Sequence, residues 1–196
     1  MNKHSSKMQS AFWDFTVRAY AVEGVPRACL NLQDVFGMDI NFLMLCLYAG
    51  ANGTCLDNEH FARAEIVAGP WRSHVIHPLR KVRRFLKEQP KSPALEELRS
   101  GILSQEIASE EVQQRMMEEV VDVPAGQPDA RATARNLVRY CASIGVAPMA
   151  AEAGAALAFI CHAVHPDLDA AQALPQLERA MSDEQRATDC GQGTAS

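Results

Sequence analysis

Asp39-Ile40-Asn41-Phe42-Leu43-Met44-Leu45-Cys46-Leu47-Tyr48-Ala49-Gly50 is the stretch on which the fold turns. From Ile40 to Ala49 it is apolar on every face, with Asn41 the one polar residue near its start. A helix without a wet face is a buried helix, so the rest of the chain has to cover it. Asp39 is placed to cap it, a side-chain oxygen accepting first-turn amide protons. Gly50 and Gly53 end it. The competing reading uses the positive end of this helix to hold an anion or small ligand, with Asn41 as a hydrogen-bonding group. The candidate pocket is then Trp13, Asp39, Asn41 and Trp71, against the alternative that both indoles are core.

Outward from this centre the periodicity stays helical, and no convincing strand alternation appears. Ser10 can cap a first helix carrying Phe12, Trp13, Val17 and Tyr20. Gly24-Val25-Pro26 breaks and restarts the chain, since proline is tolerated at a first helical position. The second helix runs to Gly37. A short helix over 59–68 follows, and Gly69-Pro70 introduces the segment Trp71–Lys87. Glu88-Gln89-Pro90-Lys91-Ser92-Pro93 reads as a turn. Acidic helices follow to about Val121, then a loop over 124–129 and helices near 130–144 and 148–164. The last of these carries Ala150, Gly154 and Ala158, a stripe permitting close helix contact. A helix near 167–181 should be kinked or split at Pro175. The pattern predicts an all-α fold, an irregular bundle of about seven to nine short helices around a buried central helix. One domain is expected over residues 9–181, with a flexible tail over 182–196.

Composition narrows the function classes. The 196 residues carry 19 basic and 24 acidic side chains, a net charge of −5, so the whole surface is not a nucleic-acid glove. The N-terminus lacks the apolar core of a secretory signal. The longest apolar runs, 42–51 and 153–161, fall short of the ~20 residues that span a bilayer. Cys29, Cys46, Cys55, Cys141, Cys161 and Cys190 form no C-x-x-C pair. Four of them lie in apolar helical runs, as free thiols of a reducing cytoplasm do. A cytoplasmic protein without a membrane partner is expected.

Against that acidic background, Trp71–Lys87 holds Arg72, Arg80, Lys81, Arg83, Arg84 and Lys87 and no acid, a local charge of +6. At 100° per residue, Leu79, Val82, Phe85 and Leu86 gather on one third of a helix, with Arg80, Arg83, Arg84 and Lys87 on the other side. One reading pairs these arginines with residues 91–122, which hold three basic and eight acidic side chains. The other presents Arg72, Arg80, Arg83, Arg84 and Lys87 to an acidic protein, or to RNA or phosphate. No aromatic falls on this basic side, which weighs against stacking on single-stranded RNA.

His74-Val75-Ile76-His77-Pro78 and His162-Ala163-Val164-His165-Pro166 share the form H-x-x-H-P. Two such pairs could supply four nitrogens to zinc or nickel, although structural zinc sites usually include tightly spaced cysteines. No metal or other cofactor is expected. Di-iron E-x-x-H pairs, H-E-x-x-H, Walker loops and G-x-G-x-x-G are all missing, so enzyme chemistry has little support.

Phe12-Trp13-Asp14-Phe15, Tyr20, Gly24-Val25, Cys29-Leu30, Leu32-Gln33, Gly37-Met38-Asp39-Ile40-Asn41 and Cys46-Leu47-Tyr48-Ala49-Gly50 form one further pattern. With Trp71-Arg72, Pro78-Leu79-Arg80 and Arg83-Arg84, they resemble a family of proteobacterial helical proteins classed as a domain of unknown function. The resemblance covers about residues 12–87 and implies a bacterial origin. It brings no catalytic residue, cofactor or substrate. The expected function is a non-enzymatic interaction or regulatory module presenting the basic helix to an acidic partner, with self-association open. The alternative is a small-molecule- or metal-dependent helical enzyme built on the Asp39/Asn41 helix head or the histidine pairs.

Overall fold

In the computed structural model, residues 10–146, 151–166, 172–180 and 182 are described. They form α1 (Ala11–Tyr20), α2 (Val25–Phe36), α3 (Ile40–Ala51) and α4 (Asn58–Trp71). A π turn (Arg72–Ile76), α5 (His77–Lys87), α6 (Pro93–Val120), α7 (Ala130–Ser143) and α8 (Ala151–Val164) follow. Residues 172–180 are also helical, without the split expected at Pro175, and no described residue lies in a strand. The protein is an all-α irregular bundle. Ala150, the helix start at Pro148, Cys190 and nearly all of the tail over 182–196 lie outside the described residues. Among the described residues no helix is long and apolar enough to cross a membrane.

The 9–181 span expected as one domain holds two compact units. One comprises residues up to Trp13 together with Glu59–Asp122; the other comprises Asp14–Asn58 and the chain from Val123 onward.

In the second unit α3 is the core, as its all-round apolar pattern dictates. Every residue from Asn41 to Gly50 is buried. The carboxylate of Asp39 accepts the amide protons of Asn41 at 2.8 Å and Phe42 at 3.4 Å, which is the capping role. Just upstream, α2 ends on Gly37, whose φ of 67° suits a residue without a Cβ. The principal cover of α3 is α7, while α2 packs on α8. Gly50 lets α3 and α7 approach, because a Cβ there would overlap the Thr133 side chain and sit 2.5 Å from its Cα. Asn136, fully buried on α7, ties the chain leaving α3 to this pair. Its amide donates to Cys46 O at 3.2 Å and Thr54 O at 2.9 Å, and its carbonyl oxygen accepts from Leu56 N at 2.7 Å. Both its amide protons and its carbonyl oxygen are engaged, which makes the buried group stabilising rather than costly.

In the first unit Ser10 Oγ accepts Trp13 N–H at 2.9 Å, and Glu118 of α6 accepts Phe12 N–H at 3.0 Å. The acidic stretch is not several short helices. It is one helix of 28 residues, started by Pro93 and by Ser92 Oγ accepting Leu95 N–H. Gly101 costs about 1 kcal/mol within it and does not break it, since no other chain breaker interrupts the run.

Candidate interaction surface on α5

Gly69-Pro70 was expected to end one helix and open another. Instead α4 runs through Pro70 into the π turn, and α5 continues from it with Pro78 in its first turn. Proline removes an amide donor and crowds the preceding turn, and a widened turn relieves the crowding. In the π turn the amide of His77 donates to Arg72 O, five residues back. Carbonyls of the turn before it receive side-chain donors: Ser73 Oγ to Gly69 O at 2.9 Å, and His74 Nδ1 to Pro70 O at 2.8 Å. Gln113 Nε2 of α6 donates to Ala68 O, and in return Trp71 Nε1 of α4 donates to Ser109 O of α6, both at 2.9 Å. Trp71 is thereby an anchor between α4 and α6. On the outer side of this region Glu65, Ile66, Arg72 and His74 line an open groove of about 660 Å³, spanned by the Arg72–Glu65 ion pair.

This attachment sets the rotation of α5, and the rotation differs from the one its apolar pattern predicts. Arg80 and Arg83, expected on a solvent-facing side, turn onto α6 with side chains 18% and 24% exposed. Between them lies Glu106, only 5% exposed, which accepts Arg83 Nε at 2.5 Å and Arg80 Nε at 3.1 Å. Arg80 Nη2 also donates to Glu110 at 2.8 Å. Burial pushes the Glu106 carboxyl up, but hydrogen bonds from Arg83 and Arg80 outweigh it and hold the group below its ordinary value. Of the two readings of the basic segment, pairing with residues 91–122 is what Arg80 and Arg83 do, while Arg72 pairs instead with Glu65 on α4.

Glu106 was not singled out from the sequence. The signal was present: Glu106, Glu110 and Gln113 recur at helical spacing on one face of α6, a polar line that continues into the buried Met117.

The same rotation brings apolar side chains outward. Leu86 is buried and Leu79 half-buried, yet Val82 is 45% exposed and Phe85 61% exposed. They stand among exposed Lys81, Arg84 and Lys87. The outer face of α5 therefore combines three cations with an aromatic and an aliphatic side chain, whereas the sequence placed no aromatic among the cations.

The pocket inferred at the head of α3 is not assembled within one unit. Trp13 and Trp71 belong to the first, Asp39 and Asn41 to the second. Asp39 is engaged in capping, and its amide donates to Tyr140 Oη at 2.6 Å while the Tyr140 ring stacks on Phe42. Burial, then the Asp39 charge, push the Tyr140 phenol well above its usual range.

The histidine pairs are likewise divided, His74 and His77 in the first unit and His162 and His165 in the second. Among the described residues, no group of three or more His, Cys, Asp or Glu is arranged to hold a metal ion. Burial pushes the Cys29 thiol up to about 11 and those of Cys141 and Cys161 up to about 12, so none is a thiolate at neutral pH. Cys46 is raised as well, while Cys55 is exposed.

His165 is buried beyond the end of α8, its Nε2 2.7 Å from Thr133 Oγ1, and the Thr133 hydroxyl donates to Asp129 O. Burial holds the imidazole below its ordinary value against an opposing pull from Asp129. The unfolded chain, with a histidine near 6.5, then binds the proton first. This contribution to stability is complete above about pH 6.5 and is lost as the pH falls below it. The melting temperature should drop between pH 7 and pH 5.5, and His165→Gln should flatten that drop. Equal slopes in the two proteins would refute the assignment.

No curated protein and no solved structure matches the chain. Residues 11–117, more than half of the sequence, match the model of a family described as a protein of unknown function, DUF2390, and the chain belongs to that family.

Proposed function

We propose that this protein is a non-enzymatic, cytoplasmic interaction module that docks an acidic segment of another protein on the outer face of α5. The reading rests on one observation: Val82 and Phe85 are exposed among Lys81, Arg84 and Lys87. Protein interfaces pair a desolvated apolar or aromatic anchor with a polar rim, and Phe85 with its neighbouring cations has that composition. The cations favour an acidic partner and would speed its encounter. Arg80 and Arg83, committed to Glu106, serve as the mount of this surface rather than as its reading head.

The enzyme alternative draws less support. Thr133 and His165 have the hydroxyl–imidazole contact of a nucleophile and its base. That pair is buried and packed against Gly50 so closely that a methyl group would not fit.

A photo-crosslinking amino acid at position 85, introduced in the native cell, tests the proposal. The expected product is a protein whose crosslinked segment is acidic, and Lys81→Glu with Arg84→Glu should abolish its formation. Crosslinks to RNA, to a segment without excess acid, or to nothing would refute it.

A further inference from the structure

Helix α4, the π turn and α5 form one continuous rod, and along it Ala68, Trp71, Val75, Leu79, Val82 and Leu86 are apolar at steps of three or four. That spacing makes a single buried line on an uninterrupted α-helix. The line that turns inward follows it only as far as Trp71, whose indole bonds to α6. Beyond that point it runs through the buried Ile76 and then through Arg80 and Arg83, the pair facing Glu106. The step from Trp71 to Ile76 is five residues, and it falls on the π turn. One spare residue is held there, so every later position lags an uninterrupted α-helix by one residue, about 100°. Val75 and Leu79 are left half-buried by this lag and Val82 is exposed.

We propose that the π turn is a register switch, and that the rod has a second packing in which the turn is taken up into continuous α-helix. In passing to it, α5 rotates by about 100° and advances by about 1.5 Å, which the turn over 88–92 absorbs. Leu79 and Val82 then take the seam on α6, Arg80 turns outward, and the docking surface is withdrawn. Named groups stand on each side of this balance. Burial of Val82 and Leu79 and recovery of regular helical hydrogen bonds favour the straight rod. Glu106 and Glu110, which hold Arg80 and Arg83 in the seam, favour the π register. So does Pro78, whose ring crowds the carbonyl of His74 in a regular helix. An acidic segment that docks on Val82 and Phe85 binds one register and not the other, so it selects the π register. This gating role rests on the docking function proposed above, whereas the switch itself is tested without a partner.

The test uses the full chain carrying Cys55→Ser and Cys190→Ser, with one reporter thiol introduced by Val82→Cys or Ile76→Cys. Maleimide labelling is read by peptide mass spectrometry. With the sequence otherwise native, the reporter at 82 should react fast and the reporter at 76 slowly. Glu106→Leu with Glu110→Leu removes both acids that draw the arginines inward and should slow labelling at 82 and speed it at 76. Each change should be about ninefold, as for a register that goes from about one tenth to about nine tenths populated. Unfolding would speed both reporters, so opposite signs mark a change of register. Deleting Ser73 removes the spare residue and leaves α5 in its present orientation on a continuous α-helix. That chain should label at 76 about tenfold more slowly than the chain with Ser73, and adding the two leucines to it should produce no inversion. With the crosslinker at position 85, partner capture should be lost in the leucine pair and kept in the deletion. Absence of capture by the native sequence would overturn the docking reading alone, because labelling reads the register directly. Equal labelling at 76 with and without Ser73 would overturn the switch. So would a folded leucine variant whose reporters keep their native order, or an inversion that survives the deletion.

Discussion

A chain that stops at Asp122 is expected to lose the protection of α3 altogether. It keeps every residue of the family-matched stretch 11–117, yet it lacks α7 and α8. Of these, α7 is the principal cover of α3, and α3 has no polar face of its own to offer water. Leu137, Val138, Tyr140, Leu157 and Ile160 are all buried in the intact protein. At about 1.5–3 kcal/mol for each large side chain, their loss rivals the about 5–15 kcal/mol by which a whole domain is stable. Hydrogen exchange followed by mass spectrometry reads the outcome. Peptides from α3 should exchange at once in the truncated chain and slowly in the full one. Slow exchange in α3 after truncation would show that α7 is dispensable cover.

The second large effect is expected at Glu106. Replacing it with alanine leaves Arg80 and Arg83 side by side in a seam without their shared carboxylate. Breaking a buried pair by removing one partner costs about 3–5 kcal/mol, and the arginines' remaining exposure places this case near the lower end. At about 2–4 °C per kcal/mol for a chain of this size, the melting temperature should fall by about 6–12 °C. Changing Glu106, Arg80 and Arg83 together to leucine should recover most of the loss, because an apolar seam of similar volume is as good as a buried ion cluster. Reversing Arg80 and Arg83 to glutamate should be worse than the single change, since four carboxylates, Glu110 included, would then share the site. Two other glutamates of α6 are engaged elsewhere: Glu111 pairs with Arg115 on its own helix, and Glu118 accepts the Phe12 amide. Because Glu106 is held below its ordinary value, its contribution is present above the unfolded carboxylate value near 4.3 and drains as the pH falls further. That window lies below the one set by His165. A melting temperature within 2 °C of wild type for Glu106→Ala would remove the cluster from any account of stability.

Much of the local structure was legible in the residues alone. The all-round apolar pattern of 40–49 marked a buried helix, and Asp39 and Ser10 marked caps; each is a short-range consequence of side-chain chemistry. Glycine at 37 and proline at 26 and 93 mark helix ends for the same reason. Pro70 and Pro78 show the limit of such rules. The same residue type that ends helices elsewhere is absorbed here by a π turn, because Ser73, His74 and Gln113 supply donors to the carbonyls around it.

The surface on α5 shows the limit more sharply. The sequence determined that 77–87 is helical, amphipathic and basic, and it determined that the region after it is acidic. Which side of that helix faces inward was decided by tertiary structure. Ridge-by-ridge periodicity assumes that apolar residues win the buried seam, and that holds unless the partner helix presents charges of its own there. Glu106 and Glu110 do so on α6, and a buried carboxylate without a cation costs more than an exposed phenylalanine. The ion cluster therefore took the seam, and Val82 and Phe85 were left to the solvent face.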